Sequence, residues 1–179
     1  HVKGGRFALH CAPAKIETIV LSDIVGDPLD MIASGPAYPD SSTCADAIHI
    51  ADKYGLVLSD EARKCLTQET PKTLTNVHTS VTGSVRELCA AAADSCAKLG
   101  YEPTVLTDCL TCEARDAGQF LSAIAQTHCH GGKRAFIVGG ETVVHLTGHG
   151  KGGRNQELAL AAAEGVAGLK NVAVFSVGS

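Results

Sequence analysis

The sequence predicts an α/β protein: a Rossmann-like domain with a mostly parallel sheet, followed by the start of a smaller α/β domain. Three observations carry this. Short apolar segments alternate with longer amphipathic ones in the order strand, helix, strand, which is the grammar of βαβ units. Of the 179 residues 45% are apolar and only 4% aromatic, enough for a packed core that is aliphatic and alanine-rich. After Gly132 the grammar changes to a hairpin feeding a helix, which places a domain boundary between residues 1–132 and 133–179.

The elements follow in order. "KIETIVLSD" (15–23) reads as a buried strand ending in a polar turn. Residues 24–43 are a long loop, because Pro28, Pro36 and Pro39 with Gly26 and Gly35 break any period. A loop of that length inside a compact domain is either functional or disordered, and its small polar residues favour function. Residues 43–55 form a helix with Thr43 as cap and Gly55 as stop, and 59–69 a second helix capped by Ser59. "TNVHTSVTG" (75–83) alternates like a strand. The segment 84–100 is a helix, with Ser84 before it, Glu87 three residues on, and Gly100 closing it. Residues 102–108 are a strand and 112–129 a helix ended by Gly131 and Gly132. "KRAFIVGGETVVHLTG" reads as two strands joined by Gly139 and Gly140. A glycine loop, a helix over 154–167 and a strand over 171–177 complete the order.

Charge and composition exclude several function classes. The net charge of −4 is spread along the chain without a basic stripe, which argues against nucleic acid as partner. No apolar run is long enough to span a bilayer, and "HVKGGRFALH" is not a signal peptide. Both ends read as cuts in a longer chain. The eight cysteines are scattered through helices and strands, which fits reduced thiols in a cytoplasmic protein, with a mitochondrial parent as the alternative. Cys109 and Cys112 have CxxC spacing with His128, Cys129 and His130 downstream, so a zinc site is the second reading of these residues. The oligomeric state is open, with a homodimer among the options.

The chemistry-bearing stretch is "GGETVVHLTGHGKGGRNQELALAAAEG" (139–165). Its glycines let backbone amides approach an anion, and the helix N-terminus that follows adds partial positive charge. Arg154 stands in the first helical turn, where the helix dipole disfavours a cation unless an anion is present. Its planar fork suits phosphate or carboxylate. Glu157 agrees with the dipole and is also placed to hold Arg154. The alternative is a flexible turn followed by a solvated arginine. The stretch is not a P-loop: His145 stands where the first glycine belongs and Gly152 where the hydroxyl belongs. Nor is it a dinucleotide fingerprint, which should open the first helix of a βαβ unit.

Ser22 and Asp23 lie at the C-terminal end of a parallel strand, where open α/β sheets bind their ligands. Asp27 follows across Gly26, and the two carboxylates could hold Mg²⁺ together with phosphate oxygens. Ser34 and Gly35, in "ASGP", extend this polar crevice. The competing reading is turn chemistry, with Asp and Ser bonding their own backbone. Glu113, opening the helix at "EAR", reads as ordinary dipole matching. Lys3 and Arg6 in "KGGR" form a small basic turn.

Taken in order, "KGGR", "LSDIVGDPLDMIASGPAYPD", "CEARDAG" and "VGGETVVHLTGHGKGGRNQELALAAA" resemble the glycerate 2-kinases of the MOFRL-containing type. The resemblance runs from Lys3 to the last strand. It implies that residues 1–132 are the C-terminal portion of a Rossmann-like kinase domain and 133–179 the N-terminal portion of a MOFRL domain. It further implies a site in the cleft between them and ATP-dependent phosphorylation of D-glycerate on its 2-hydroxyl. Carried over by position, the matching residues are Ser22, Asp23, Asp27, Ser34, Gly35, Gly139, Gly140, Glu141, Thr142, Gly152, Gly153, Arg154, Asn155, Gln156 and Glu157. On chemical grounds Arg154 clamps the glycerate carboxylate or the transferring phosphoryl group. Asp23 or Asp27 positions Mg²⁺ or takes the hydroxyl proton.

The chain departs from the family at Pro28, where a second acid is common, at Val85, where Asn usually follows "GS", and at Cys112, which replaces a glycine. Family members are more than twice as long. They carry a catalytic lysine upstream and an acidic loop downstream. Two other functions are kept: a hydroxypyruvate reductase, against which the missing dinucleotide fingerprint stands, and a non-catalytic ligand-binding fragment.

Overall fold

The computed structural model describes residues 2–22 and 24–178. They fall into two compact units, residues 1–84 and 85–179. In the first unit the order is α1 (Arg6–Cys11), β1 (Ile16–Leu21), a 3-10 turn (Ile32–Ser34), α2 (Cys44–Lys53), α3 (Asp60–Leu66) and β2 (Val77–Gly83). β1 and β2 pair in parallel from Ile16 opposite Val77 to Leu21 opposite Gly83, with an irregularity between Val20 and Leu21. The crossover between them carries α2 and α3, as a βαβ unit requires.

Capping residues set both crossover helices. The Thr43 hydroxyl accepts from the Asp46 amide, and the Asp46 carboxylate accepts from the Thr43 amide at 2.8 Å, a reciprocal capping box. Ser59 caps α3 by accepting from the Ala62 amide at 3.2 Å. α1 was not expected; "KGGR" reads as a turn from sequence. The helix has no side-chain cap: Gly5 in the left-handed region precedes it. Tertiary contacts hold it instead, since the Asn76 side chain donates to the Ala8 and Ala14 carbonyls at 3.0 Å.

In the second unit α4 (Val85–Lys98), β3 (Glu102–Leu110), α5 (Ala114–His128), β4 (Arg134–Gly140) and α6 (Arg154–Val166) follow one another. β3 and β4 are again parallel, from Glu102 opposite Arg134 to Leu110 opposite Gly140. The α/β class and the parallel pairing are thus as expected. Two local expectations are corrected. The hairpin after Gly140 does not form, because the chain does not turn back. Residues 141–143 continue along 110–114, with the Glu141 amide donating to Leu110 O at 2.8 Å and a single parallel bridge joining Glu113 and Val143. Residues 171–177 are not a strand: they have no ladder partner among the described residues, and Val174 packs instead on the core of Ala114, Ala117 and Leu158.

That core is built from small residues, so α5 and α6 approach closely. A Cβ on Gly118 would meet Leu158 O and would lie 2.9 Å from the Ala161 Cβ, while the Gln126 amide donates to Gly165 O at 2.7 Å. Contacts rise together along both helices, from 118 against 158–162 to 126 against 165. The two helices therefore run parallel, and their N-termini share one end.

Candidate active site

Three sequence segments meet at that shared end of the second unit. "CEAR" leads into α5, "GGET" leaves β4, and "GGRNQE" opens α6. Two helix N-termini side by side present unpaired amides and two positive dipole ends, a setting that favours negative charge. The charged side chains of these three segments are two arginines, Arg115 and Arg154, and three glutamates, Glu113, Glu141 and Glu157.

The backbone of 140–143 is fixed before any side chain is considered. Gly140 has φ 146°, and a Cβ there would collide with the Leu110 backbone. Beyond it, the Val143 amide donates to Cys112 O at 3.1 Å and the Ala114 amide to Val143 O at 2.9 Å. Glu141 therefore projects from a stretch laced to the start of α5. Its Oε1 accepts from Arg154 Nη1 at 2.5 Å, and Thr142 O accepts from the same nitrogen at 3.1 Å. Arg154 Nε and Nη2 make no hydrogen bond among the described residues, and the side chain is half-exposed. Glu157 does not hold Arg154, contrary to expectation. Its Oε1 pairs with Arg115 Nε at 3.2 Å, since one turn into α6 it faces α5 rather than its own first residue.

The glycine loop before α6 is open. Cβ positions on Gly148, Gly150 and Gly153 would meet nothing within 4 Å, and the nearest atom to one on Gly152 is Gln156 Oε1 at 3.2 Å. None of the four has positive φ. Neither backbone conformation nor packing within the chain accounts for these glycines, so their main-chain amides stay approachable. Gly139 is different: a Cβ there would come within 2.5 Å of Cys89 Sγ and Val85 Cγ1, so this glycine lets β4 pack on α4. Asn155 Oδ1 accepts from Ser176 Oγ at 2.6 Å.

The long loop of the first unit makes a second polar patch, described by itself. Ser22 is buried; its amide donates to Gly83 O at 2.8 Å and its hydroxyl to Ile24 O at 3.3 Å. Asp23 lies outside the described residues. Asp27 adopts φ 54°, and its carboxylate makes no hydrogen bond or ion pair among the described residues. It lines an open cavity of about 480 Å³ with Asp30, Tyr38, Asp40, Ser41 and Lys72. Ala33, Ser34 and Gly35 form three successive left-handed residues, a costly arrangement outside glycine. "KGGR" holds it: the Gly4 amide donates to Ser34 O at 2.9 Å, the Gly5 amide to Gly35 O at 2.7 Å, and Lys3 Nζ to Ser34 Oγ at 3.4 Å.

Neighbouring acids in this loop are engaged by the protein. The Ser41 hydroxyl donates to Asp30 and holds its carboxyl below the ordinary range. Burial pushes the Asp40 carboxyl up, but the Ser42 hydroxyl and amide, Thr70 and the Lys72 charge outweigh it and leave the pKa lowered. Lys72 is itself saturated by Asp40 O, Ser42 O, the Thr70 hydroxyl and Glu69. Among the described residues no group of three or more His, Cys, Asp or Glu is arranged for a metal ion, so the zinc reading of Cys109, Cys112, His128, Cys129 and His130 finds no support. All eight cysteines are free thiols. No helix is long and apolar enough to cross a membrane among the described residues.

The sequence reading gives Arg115 no role, and it takes Lys3 only as part of a small basic turn. The signal for Arg115 was present in "CEAR", set aside as dipole matching by its glutamate.

Residues 1–67 match the model of a domain of unknown function, DUF4147, and residues 134–179 that of the MOFRL family. The chain is 46% identical over 183 residues to a D-glycerate 2-kinase of Thermotoga maritima, covering 99% of this chain and 44% of that protein. A putative hydroxypyruvate reductase of Agrobacterium vitis is 36% identical over 186 residues, covering 96% of this chain and 41% of the other. The crystal structure of glycerate kinase from Thermotoga maritima superimposes with a TM-score of 0.84 at 47% identity, over 94% of this chain and 42% of that one. The chain thus spans under half the length of these relatives. Over nearly its whole length the chain is similar to glycerate 2-kinases, and residues 134–179 match the MOFRL family.

Proposed function

We propose that this chain supplies part of an ATP-dependent D-glycerate 2-kinase, which moves the γ-phosphoryl group of ATP to the 2-hydroxyl of D-glycerate and releases ADP and 2-phosphoglycerate. The observation that carries the proposal is the Arg154 guanidinium, whose Nε–Nη2 edge is unpaired among the described residues beside an open glycine loop at two helix N-termini. A substrate with one carboxylate that gains a phosphoryl group needs that kind of planar, bidentate anion site.

In this reading Arg154 clamps the carboxylate of D-glycerate or the transferring phosphoryl group, while the amides of Gly152 and Gly153 face the same anion. Ser22, Ser34, Gly35, Gly139, Gly140, Glu141, Asn155 and Glu157 remain the positions that shape the substrate and nucleotide sites. Asp27 stands on a cavity wall without a partner among the described residues, and Asp23 and Asp27 are the carboxylates that would hold Mg²⁺, which is usually held by one or two carboxylates plus substrate phosphates. When bound, Mg²⁺ neutralises phosphate charge; Asp23 or Asp27 otherwise accepts the hydroxyl proton. Phosphoryl transfer demands mainly positioning and charge neutralisation, which such groups supply. The Rossmann-like portion is assigned to 1–132 and the MOFRL portion to 133–179. Free thiols at all eight cysteines support a reducing compartment, the cytoplasm.

A reductase would need a dinucleotide fingerprint, and the glycine loop before α6 is not one. The test is an assay with ATP and D-glycerate on a chain of the relatives' full length that contains these 179 residues. Formation of 2-phosphoglycerate is expected. Formation of 3-phosphoglycerate alone, or NADH-dependent reduction of hydroxypyruvate without phosphorylation, would overturn the proposal.

A further inference from the structure

We propose that Glu141 is a positioning residue: it holds Arg154 by one nitrogen so that the opposite edge of the guanidinium faces the substrate carboxylate. The inference rests on the kinase reading above and adds a role that the family resemblance does not assign. A cation on the first residue of a helix is repelled by the helix dipole and, on a long flexible stem, would sample many rotamers. Two acceptors oppose this. Glu141 Oε1 lies 2.5 Å and Thr142 O lies 3.1 Å from Arg154 Nη1. Both come from backbone that is itself pinned, through Leu110, Cys112 and Ala114, to the start of α5.

The way the contact is made separates positioning from self-occupation. A carboxylate that stood in for the substrate would take the two-nitrogen edge of the guanidinium, the geometry that makes Arg–carboxylate pairs strong. Glu141 does not; it shares Nη1 with a main-chain carbonyl and leaves Nε and Nη2 without a partner among the described residues. The contact fixes the plane of the fork and keeps its binding edge open. Glu157 cannot substitute, because its carboxylate is spent on Arg115.

The experiment compares Glu141→Ala and Glu141→Gln with the unmodified protein, in the full-length chain, by steady-state kinetics and by calorimetric titration with D-glycerate. Glutamine keeps an acceptor at the same reach, so Glu141→Gln is expected to stay within about threefold in KM for D-glycerate. Glu141→Ala is expected to raise that KM and the calorimetric Kd about tenfold or more, with KM for ATP unchanged and little change in Tm. A merely structural role would lower Tm and active fraction without moving KM. An unchanged KM and Kd in Glu141→Ala would overturn the inference while leaving the kinase reading intact. A lowered KM would also overturn it and make Glu141 a competitor for the site. If the unmodified protein neither binds nor phosphorylates D-glycerate, the kinase reading fails and this inference falls with it. If it binds without turnover, the Kd comparison alone decides.

Discussion

Arg154 Nη1 lies 2.5 Å from Glu141 Oε1, so the first residue of α6 is anchored to the residue that follows β4. Both side chains are about half-exposed, at 49% and 48%. An exposed pair of this kind contributes little to stability, on the order of 1 kcal/mol or less. Its consequence is orientation: it selects which face of the guanidinium is free.

Asp27 has no side-chain partner among the described residues and sits at φ 54°, a conformation that asparagine tolerates well. Replacing it by asparagine keeps shape and backbone and removes only the charge. Asp27→Asn should leave Tm within about 2 °C and lower kcat by about 100-fold or more, as expected for a carboxylate that serves metal or proton. Steady-state kinetics beside a thermal melt checks both halves.

Gly118 sets the distance between α5 and α6. Alanine in place of a helical glycine ordinarily stabilises by about 1 kcal/mol. Here the added methyl would run into a main-chain oxygen, Leu158 O, and lie 2.9 Å from the Ala161 Cβ, and neither can swing aside. Overpacking costs about 1–3 kcal/mol, so the clash wins and Gly118→Ala should be destabilising. The same change at Gly150, where a Cβ meets nothing within 4 Å, should leave denaturant stability unchanged. Midpoints of urea unfolding distinguish the two.

Asp40 carries a lowered pKa relative to its ordinary value of 3.8: burial opposes ionisation, but Ser42, Thr70 and Lys72 favour it more. A depressed folded-state pKa contributes stability that is present above the unfolded value and lost as pH falls through the folded one. The Tm deficit of Asp40→Asn should therefore be full at pH 6–7 and shrink as the pH drops below 3.8. Melts across that range measure it; a deficit that stays constant down to pH 2 would assign the loss to packing rather than charge.

The helices were legible where their ends carried side-chain signals. Thr43 and Ser59 cap α2 and α3 as read from sequence, and the structure adds Asp46 as the second half of the α2 capping box. α1 escaped because its N-cap is a left-handed glycine and its support comes from Asn76, far along the chain. The apolar alternation of 141–146 and 171–177 predicts strands, yet strand formation needs a free edge in register, which local pattern does not encode. The open glycine loop and the place of Arg154 at the start of α6 were legible because bare backbone before a helix has few other uses. Which acid faced which arginine was not. Glu157 is three residues from Arg154 and is the local choice; Glu141 wins because the parallel course of β3 and β4 brings "GGET" to the mouth of α6.

The central claim is that the Arg154 fork binds the substrate anion through two nitrogens, and replacing it by lysine tests this most directly. Lysine keeps the charge but offers one point of contact. In the full-length chain, Arg154→Lys should lower kcat/KM for D-glycerate at least about 100-fold, or about 2.7 kcal/mol of transition-state stabilisation, with the Tm preserved. Turnover at the unmodified rate in Arg154→Lys would contradict it.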